Sequence, residues 1–165
     1  MRIRKIAVAL MLMGVAPVAF GIVSTATILK RLVVIIDKLE EAGQQVLFAQ
    51  IDNITKGNKD TQTYTLQQGA SYKIIVIGDQ DRVDDIDLQV LDENNNVVGK
   101  DDDSSNVAVV DVSPIRSASF KFQVWAASMN ANDAFYSIVI SRNDGSGDSK
   151  KGGKNSATEL DREVE

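Results

Sequence analysis

Cysteine and histidine are both absent from the 165 residues of this chain, and their absence excludes several kinds of chemistry. The chain has no thiolate nucleophile, no disulfide, no zinc site built from these residues and no histidine-based triad. Aromatic residues are also scarce, at 5% of the sequence, so an extended aromatic platform for a polymer is not expected. We therefore expect a protein that is not an enzyme.

The N-terminus is basic and then apolar. Three of the first five residues are basic, and no charged residue occurs from Ile6 to Leu29. This order is typical of a secretory signal, with small-residue cleavage sites at 19–21 and 24–26. The uncharged run, residues 6–29, is also long enough to be a retained membrane anchor, so residues 1–26 have two interpretations. Both predict that the rest of the chain is extracytoplasmic: secreted, periplasmic, or anchored and facing outward.

The chain that follows this segment is acidic. Residues 27–165 hold 15 basic and 23 acidic residues, a net charge of −8. Such a body repels phosphate groups, so we expect no nucleic-acid partner. The same charge favours the binding of cations.

Residues 27–43 are predicted to form an amphipathic helix. Apolar residues recur there at helical spacing, at Leu29, Leu32, Ile36 and Leu39. Thr27 is expected to cap the start of the helix and Gly43 to end it. Two roles remain open: the helix lies against the membrane or the folded domain, or residues 28–42 form a short coiled-coil seam in a homo-oligomer. Residues 44–62 are interpreted as a linker that contains a possible strand.

From residue 63 the apolar period changes to two. We predict strands at 63–66, 71–77, 86–91, 97–99, 107–112, 119–126 and 135–141. Polar turn residues separate them, so residues 63–142 are predicted to form an all-β, antiparallel β-sandwich. Phe120, Phe122 and Val124 should face its core, and Trp125 should pack there or at its edge. Residues 143–165 are too polar to fold and are predicted to be a disordered tail.

The acidic residues are concentrated between positions 79 and 103, where ten of them occur. Asp85 and Asp87 point to the same side of a predicted strand, and a hairpin would return residues 101–103 to the same edge. Calcium accepts six to eight oxygen ligands in loose geometry and therefore fits such a set. The predicted metal ligands are Asp85, Asp87, Asp101 and Asp103. The alternative is a solvated acidic rim in which aspartates stabilise turns.

With these residues in view, the chain resembles the bacterial pre-peptidase C-terminal domain family. The matching stretches are residues 64–72 (Tyr-Thr-Leu-Gln-Gln-Gly-Ala-Ser-Tyr), 85–92 (Asp-Ile-Asp-Leu-Gln-Val-Leu-Asp), 122–127 (Phe-Gln-Val-Trp-Ala-Ala) and 135–139 (Phe-Tyr-Ser-Ile-Val). The resemblance implies a jelly-roll-like β-sandwich found in exported bacterial proteins, often beside peptidases, and some relatives bind calcium. By position it implies metal ligands at Asp85 and Asp87, with Asp101 or Asp103. Residues 94–96 (Asn-Asn-Asn) depart from the Asn-Gly that is usual in the family.

These observations predict an exported, non-catalytic module at the cell envelope or outside the cell. Calcium is its expected cofactor, and its partner, a protein or a polysaccharide, is not identified by the sequence. A first alternative is a structural envelope subunit that assembles through the N-terminal helix without metal. A second is an accessory domain of a separately encoded peptidase.

Overall fold

One helix and eight strands are present in residues 25–143, the part of the chain that the computed structural model describes. They are α1 (Ala26–Glu41), β1 (Gln45–Thr55), β2 (Lys59–Leu66), β3 (Ser71–Gly78), β4 (Val83–Leu91), β5 (Val97–Asp101), β6 (Val107–Val112), β7 (Ala118–Met129) and β8 (Asp133–Asn143). Sheet A has the order β1-β8-β3-β6 and sheet B the order β2-β7-β4-β5. All pairings are antiparallel, and this order is that of a jelly roll. The predicted β-sandwich is confirmed, whereas nearly all of the predicted signal segment and of the tail lie outside the described residues.

The interpretation of residues 44–62 as a linker is wrong, although the possible strand expected there is present as β1. β1 pairs with β8 along ten positions from Gln45 to Thr55, and β2 begins at Lys59, so both strands belong to the sandwich. The sandwich therefore starts at Gln45 instead of residue 63. Alternation is weak in β1 because polar residues occupy part of its inner face. Its inner positions include Gln50 and Asp52, which hydrogen-bond to each other.

The core between the sheets follows the predicted alternation. Phe120, Phe122 and Val124 are buried as expected, together with Leu88 and Val90 on the neighbouring strand β4. From sheet A the same core receives Ile74, Val76, Tyr136, Ile138 and Ile140. Burying each large apolar side chain contributes about 1.5–3 kcal/mol, so this core is the main source of stability.

A second apolar cluster covers the outer face of sheet A. Ile75 and Ile77 of β3 point away from the sandwich core, and Val139 of β8 lies beside them. Helix α1 packs on these residues through Ile28, Leu32, Ile35 and Leu39, all of which are buried. Sheet A is thus apolar on both faces, and α1 forms a third layer of the domain.

The helix differs from its prediction at its start and in its buried face. It begins at Ala26 after Thr25, which makes no side-chain cap hydrogen bond, so the expected cap at Thr27 is wrong. Leu29 was placed on the apolar face but is exposed, and Ile28 and Ile35 take its place. The predicted end is correct: Gly43 has a φ of 74°, and its N–H donates to the carbonyl of Glu40. Within residues 25–143 no helix is both long and apolar enough to cross a membrane.

Arg31 fastens α1 to one end of the sandwich. Its side chain is 3% exposed, and Nη1 donates to the carbonyl oxygen of Gly78 at 2.7 Å. Nη1 also donates to Oδ1 of Asn106, whose own Nδ2 donates to the carbonyl oxygen of Val83. Gly78 ends β3, Asn106 precedes β6 and Val83 begins β4, so one guanidinium links the helix to both sheets.

We expect Arg31→Met to destabilise the domain by about 2–3 kcal/mol, because a buried carbonyl and a buried amide lose a charged donor. Urea denaturation measures the change. Lys30→Met is the matched control, since Lys30 is the exposed neighbour on the same helix. Equal stabilities of the two variants would contradict the role assigned to Arg31.

Candidate metal centre

The candidate centre begins at the start of β4, where two carboxylates lie on the outer face of sheet B. Ile86 and Leu88 point into the core, and Asp85 and Asp87 alternate with them. The pairing between β4 and β7 shifts on both sides of Asp85. Such an irregularity twists a strand and redirects its side chains, which here occurs at the acidic positions.

Asp87 is buried although it lies on an outward-facing position. It is only 6% exposed, and its register partner on β7 is Trp125. Among residues 25–143 no hydrogen-bond donor reaches its carboxylate. Burial, together with the negative charges of Asp85 and Asp102, raises the pKa of Asp87 to about 6. This carboxylate is therefore both desolvated and crowded by like charge.

The carboxylate of Asp85 is also partly desolvated and close to another negative charge. Its Oδ1 atom is buried and has no hydrogen-bond partner among the described residues. Burial raises the pKa of Asp85; a backbone hydrogen bond from Ser105 opposes that rise, and the charge of Asp101 adds to it. An oxygen that is buried without a donor costs free energy, unless a proton or a cation satisfies it.

The end of β5 brings further carboxylates to the same place. Leu88 of β4 pairs with Asp101, which is the last residue of β5. One oxygen of Asp101, Oδ2, accepts the backbone N–H of Val109 at 2.7 Å. Asp102 forms an ion pair with Lys100, and both residues are largely exposed. Lys100 partly compensates the carboxylates, since its charge lowers the pKa of Asp87.

The four predicted ligands are therefore only partly brought together. The charges of Asp85, Asp87 and Asp101 affect one another, whereas Asp103 is exposed and its N–H donates to Oδ1 of Asp101 at 3.4 Å. Within residues 25–143, no three acidic side chains come close enough to hold a metal ion in their present positions. Binding would need side-chain movement, with waters and backbone carbonyl oxygens completing the coordination.

Other aspartates of the acidic region stabilise turns, as the alternative interpretation expects. Asp92 accepts the backbone N–H groups of Asn94 and Asn96, both at 2.8 Å. The side-chain and backbone hydrogen bonds from Asn96 are the main reason that the pKa of Asp92 is lowered. Asn95 in this turn has a φ of 63°, a left-handed conformation that asparagine tolerates. The acidic residues thus include turn residues such as Asp92 and, on β4, the half-buried Asp85 beside the buried Asp87.

Two neighbours of the site were missed or misplaced by the sequence analysis. Asp102 was not chosen as a ligand, although its charge acts on Asp87 more strongly than that of Asp101. Trp125 was expected in the core or at its edge, but it lies half-buried on the outer face of sheet B, opposite Asp87. Its ring contacts Nζ of Lys59, 3.8 Å from the ring centroid. The alternation of β7 contained this information, because Trp125 follows the inward-facing Val124.

No protein-family model matches this sequence, and no curated protein matches it. Solved structures resemble its fold. The pre-peptidase C-terminal domain of a collagenase from Bacillus anthracis is 12% identical, with a TM-score of 0.47, and the match covers 56% of this chain and 87% of that one. A periplasmic inhibitor of g-type lysozyme from Aeromonas hydrophila is 13% identical, with a TM-score of 0.45 and coverages of 62% and 90%. The mitogen from Yersinia pseudotuberculosis is 12% identical, with a TM-score of 0.45 and coverages of 64% and 92%.

The jelly-roll-like β-sandwich that the resemblance implied is present in this chain, and a pre-peptidase C-terminal domain is among the structures similar to it. At these identities and scores, no ligand, partner or activity follows from the similarity.

The raised pKa of Asp87 predicts an unusual pH dependence in the absence of divalent cations. The native state takes up a proton near pH 6, whereas an unfolded aspartate does so near pH 4, so the native state binds more protons between these values. The contribution of Asp87 to stability therefore falls as pH rises through about 6. With a chelator present at about pH 7.5, the free energy of unfolding of Asp87→Asn should exceed that of the unsubstituted protein by roughly 1–2 kcal/mol.

Denaturation at about pH 5 and about pH 7.5 tests this expectation, and the difference between the two proteins should shrink at the lower pH. The matched control is Asp84→Asn on the same strand, where the carboxylate is exposed and little change is expected. A loss of stability in Asp87→Asn at the higher pH would show that the ionised carboxylate is well compensated.

Proposed function

We propose that this chain is an exported, non-catalytic β-sandwich module that binds calcium at the start of β4. Asp85 and Asp87 are the central ligands, and Asp101 contributes from the end of β5. Either Asp102 or Asp103, from the exposed loop that follows, would supply a further oxygen. The role of the module is that of an accessory or binding component at the cell envelope or outside the cell.

One observation carries the proposal of a cation: the carboxylates of Asp85 and Asp87 lie close together and have too few hydrogen-bond donors for their charge. The Oδ1 atom of Asp85 has no partner, and Asp87 is almost fully buried with no hydrogen bond in the described part of the chain. At neutral pH a pair in this state is unfavourable, because each charge is desolvated and repels the other. A bound cation would remove both costs.

The chemistry of the donor set favours calcium among the divalent cations. All candidate ligands are oxygens, and the chain contains no histidine or cysteine that would favour zinc. Magnesium demands near-ideal octahedral geometry, whereas calcium tolerates an irregular set completed by water. The irregular pairing of β4 with β7 at Asp85 and the exposed loop at residues 102–104 suit such a flexible site.

Export and a non-catalytic role are supported by the sequence. The basic start and the uncharged run that follows are features of a signal or an anchor. The chain has neither histidine nor cysteine to serve as a base or a thiolate nucleophile. The competing proposal is a module without metal, in which the aspartates stabilise turns. The two backbone hydrogen bonds that Asp92 accepts in its turn favour this alternative.

Thermal unfolding in calcium and in chelator tests the metal proposal. We expect calcium at about one hundred times its dissociation constant to stabilise the native protein by about 2.7 kcal/mol, which is a shift of roughly 5–15 °C in the midpoint. Magnesium at the same concentration should shift the midpoint less. The variant Asp85→Asn/Asp87→Asn should lose the calcium shift while remaining folded in chelator.

The matched control is Asp37→Asn, which removes an exposed carboxylate from α1 and should retain the full calcium shift. A native protein with the same midpoint in calcium and in chelator, and no heat of calcium binding in calorimetry, would overturn the proposal. The module would then be one without metal.

A further inference from the structure

One flank of α1 exposes large apolar side chains that the sandwich does not cover. Leu29 is 50% exposed and Val33 is 48% exposed, one helical turn apart. Ile36 follows on the same line at the next turn, where it is half-buried and also packs against the apolar cluster beneath α1. We refer to Leu29, Val33 and Ile36 as the α1 strip. It lies beside the helix face that holds Ile28, Leu32 and Ile35 against sheet A.

The charges of α1 are divided along its length in a way that distinguishes its two halves. Residues 26–36 contain no acidic residue, and their charged side chains are the exposed Lys30 and the buried Arg31. The last turns carry the exposed Asp37, Glu40 and Glu41, with the half-buried Lys38 among them, so they are acidic on balance. The α1 strip therefore lies in the half of the helix whose exposed surface is apolar and basic.

The chain that enters α1 indicates what covers this strip. The described structure begins at Thr25, directly before the helix, and the residues from Ile6 to Leu29 contain no charge. The strip is thus continuous in sequence with an apolar segment of membrane-spanning length. Arg31 holds α1 against the sandwich, so the strip cannot be buried by a simple rotation of the helix.

We propose that the α1 strip lies in the interfacial region of a lipid bilayer, next to the point where the N-terminal segment enters it. This inference rests on the proposed export and on retention of that segment. Leu29 and Val33 contact the acyl chains near the surface, and Lys30 reaches the lipid phosphates. The acidic last turns of α1 point away from the surface.

A second copy of the chain is a less suitable occupant. The α1 strip covers about two helical turns, whereas the apolar repeat that indicates a coiled coil continues over three or four heptads. Leu32, which the predicted coiled-coil seam included, is buried against sheet A and cannot contact a second helix.

Fluorescent labelling tests the proposal, because the native chain has no cysteine and accepts single-cysteine variants. An environment-sensitive nitrobenzoxadiazole dye is attached to the full chain at Leu29→Cys and, separately, at Val33→Cys. With vesicles of phosphatidylcholine and phosphatidylglycerol, both labels should shift to shorter wavelength and be quenched by brominated lipid. Thr63→Cys on the outer face of sheet B and Glu40→Cys in the acidic part of α1 are the controls, and neither label should respond.

Flotation of the same samples with the vesicles separates this inference from the anchoring on which it rests. If the chain floats and the labels at positions 29 and 33 behave like the label at 63, the segment anchors the chain and the α1 strip does not touch lipid. Failure to float would overturn both ideas. A shift without vesicles that grows with protein concentration would identify a second copy as the occupant, and would also overturn the proposal.

Discussion

Sheet A needs cover on both faces, and the rest of the structure depends on this requirement. The strand β3 has four successive apolar residues, Ile74 to Ile77, which alternate between the sandwich core and α1. Without the helix, Ile75, Ile77 and Val139 on the outer face of the sheet would be exposed to water. The hydrophobic effect thus holds α1 on the sheet, and Arg31 fixes where along the sheet it docks.

Because α1 docks in this position, the two ends of the domain carry different features. Arg31 contacts Gly78 and Asn106, which lie beside the loops that carry the acidic residues. Thr25, where the described structure begins, therefore lies at the same end as Asp85. The start of the helix and the candidate cation site share one end because a buried guanidinium connects the helix to the turns there. The opposite end holds the turn that Asp92 stabilises.

Much of the fold was predictable from side-chain alternation, because that pattern is local to each strand. Seven strands were predicted within the bounds that the structure has, and Asp87 was placed opposite Leu88 and Val90 correctly. The remaining strand, β1, was predicted only as a possible strand within a linker, because its inner face carries Gln50 and Asp52, whose hydrogen-bonding partners lie in β1 itself and in β2. The continuous apolar run in β3 was a signal that both of its faces are buried, and it pointed to the layer formed by α1.

By itself the sequence determined the alternating strands, the end of the helix at Gly43 and the presence of an acidic region between residues 79 and 103. Only the tertiary structure decided how far each of these aspartates is buried and which donors reach it. Asp92 lies in a turn where two backbone N–H groups donate to one of its oxygens. Asp85 and Asp87 lie instead between β7 and the end of β5, where Oδ1 of Asp85 has no donor and Asp87 is almost fully buried. The physical reason is that burial and the sum of nearby charges depend on which strands become neighbours, and those neighbours are distant in the chain.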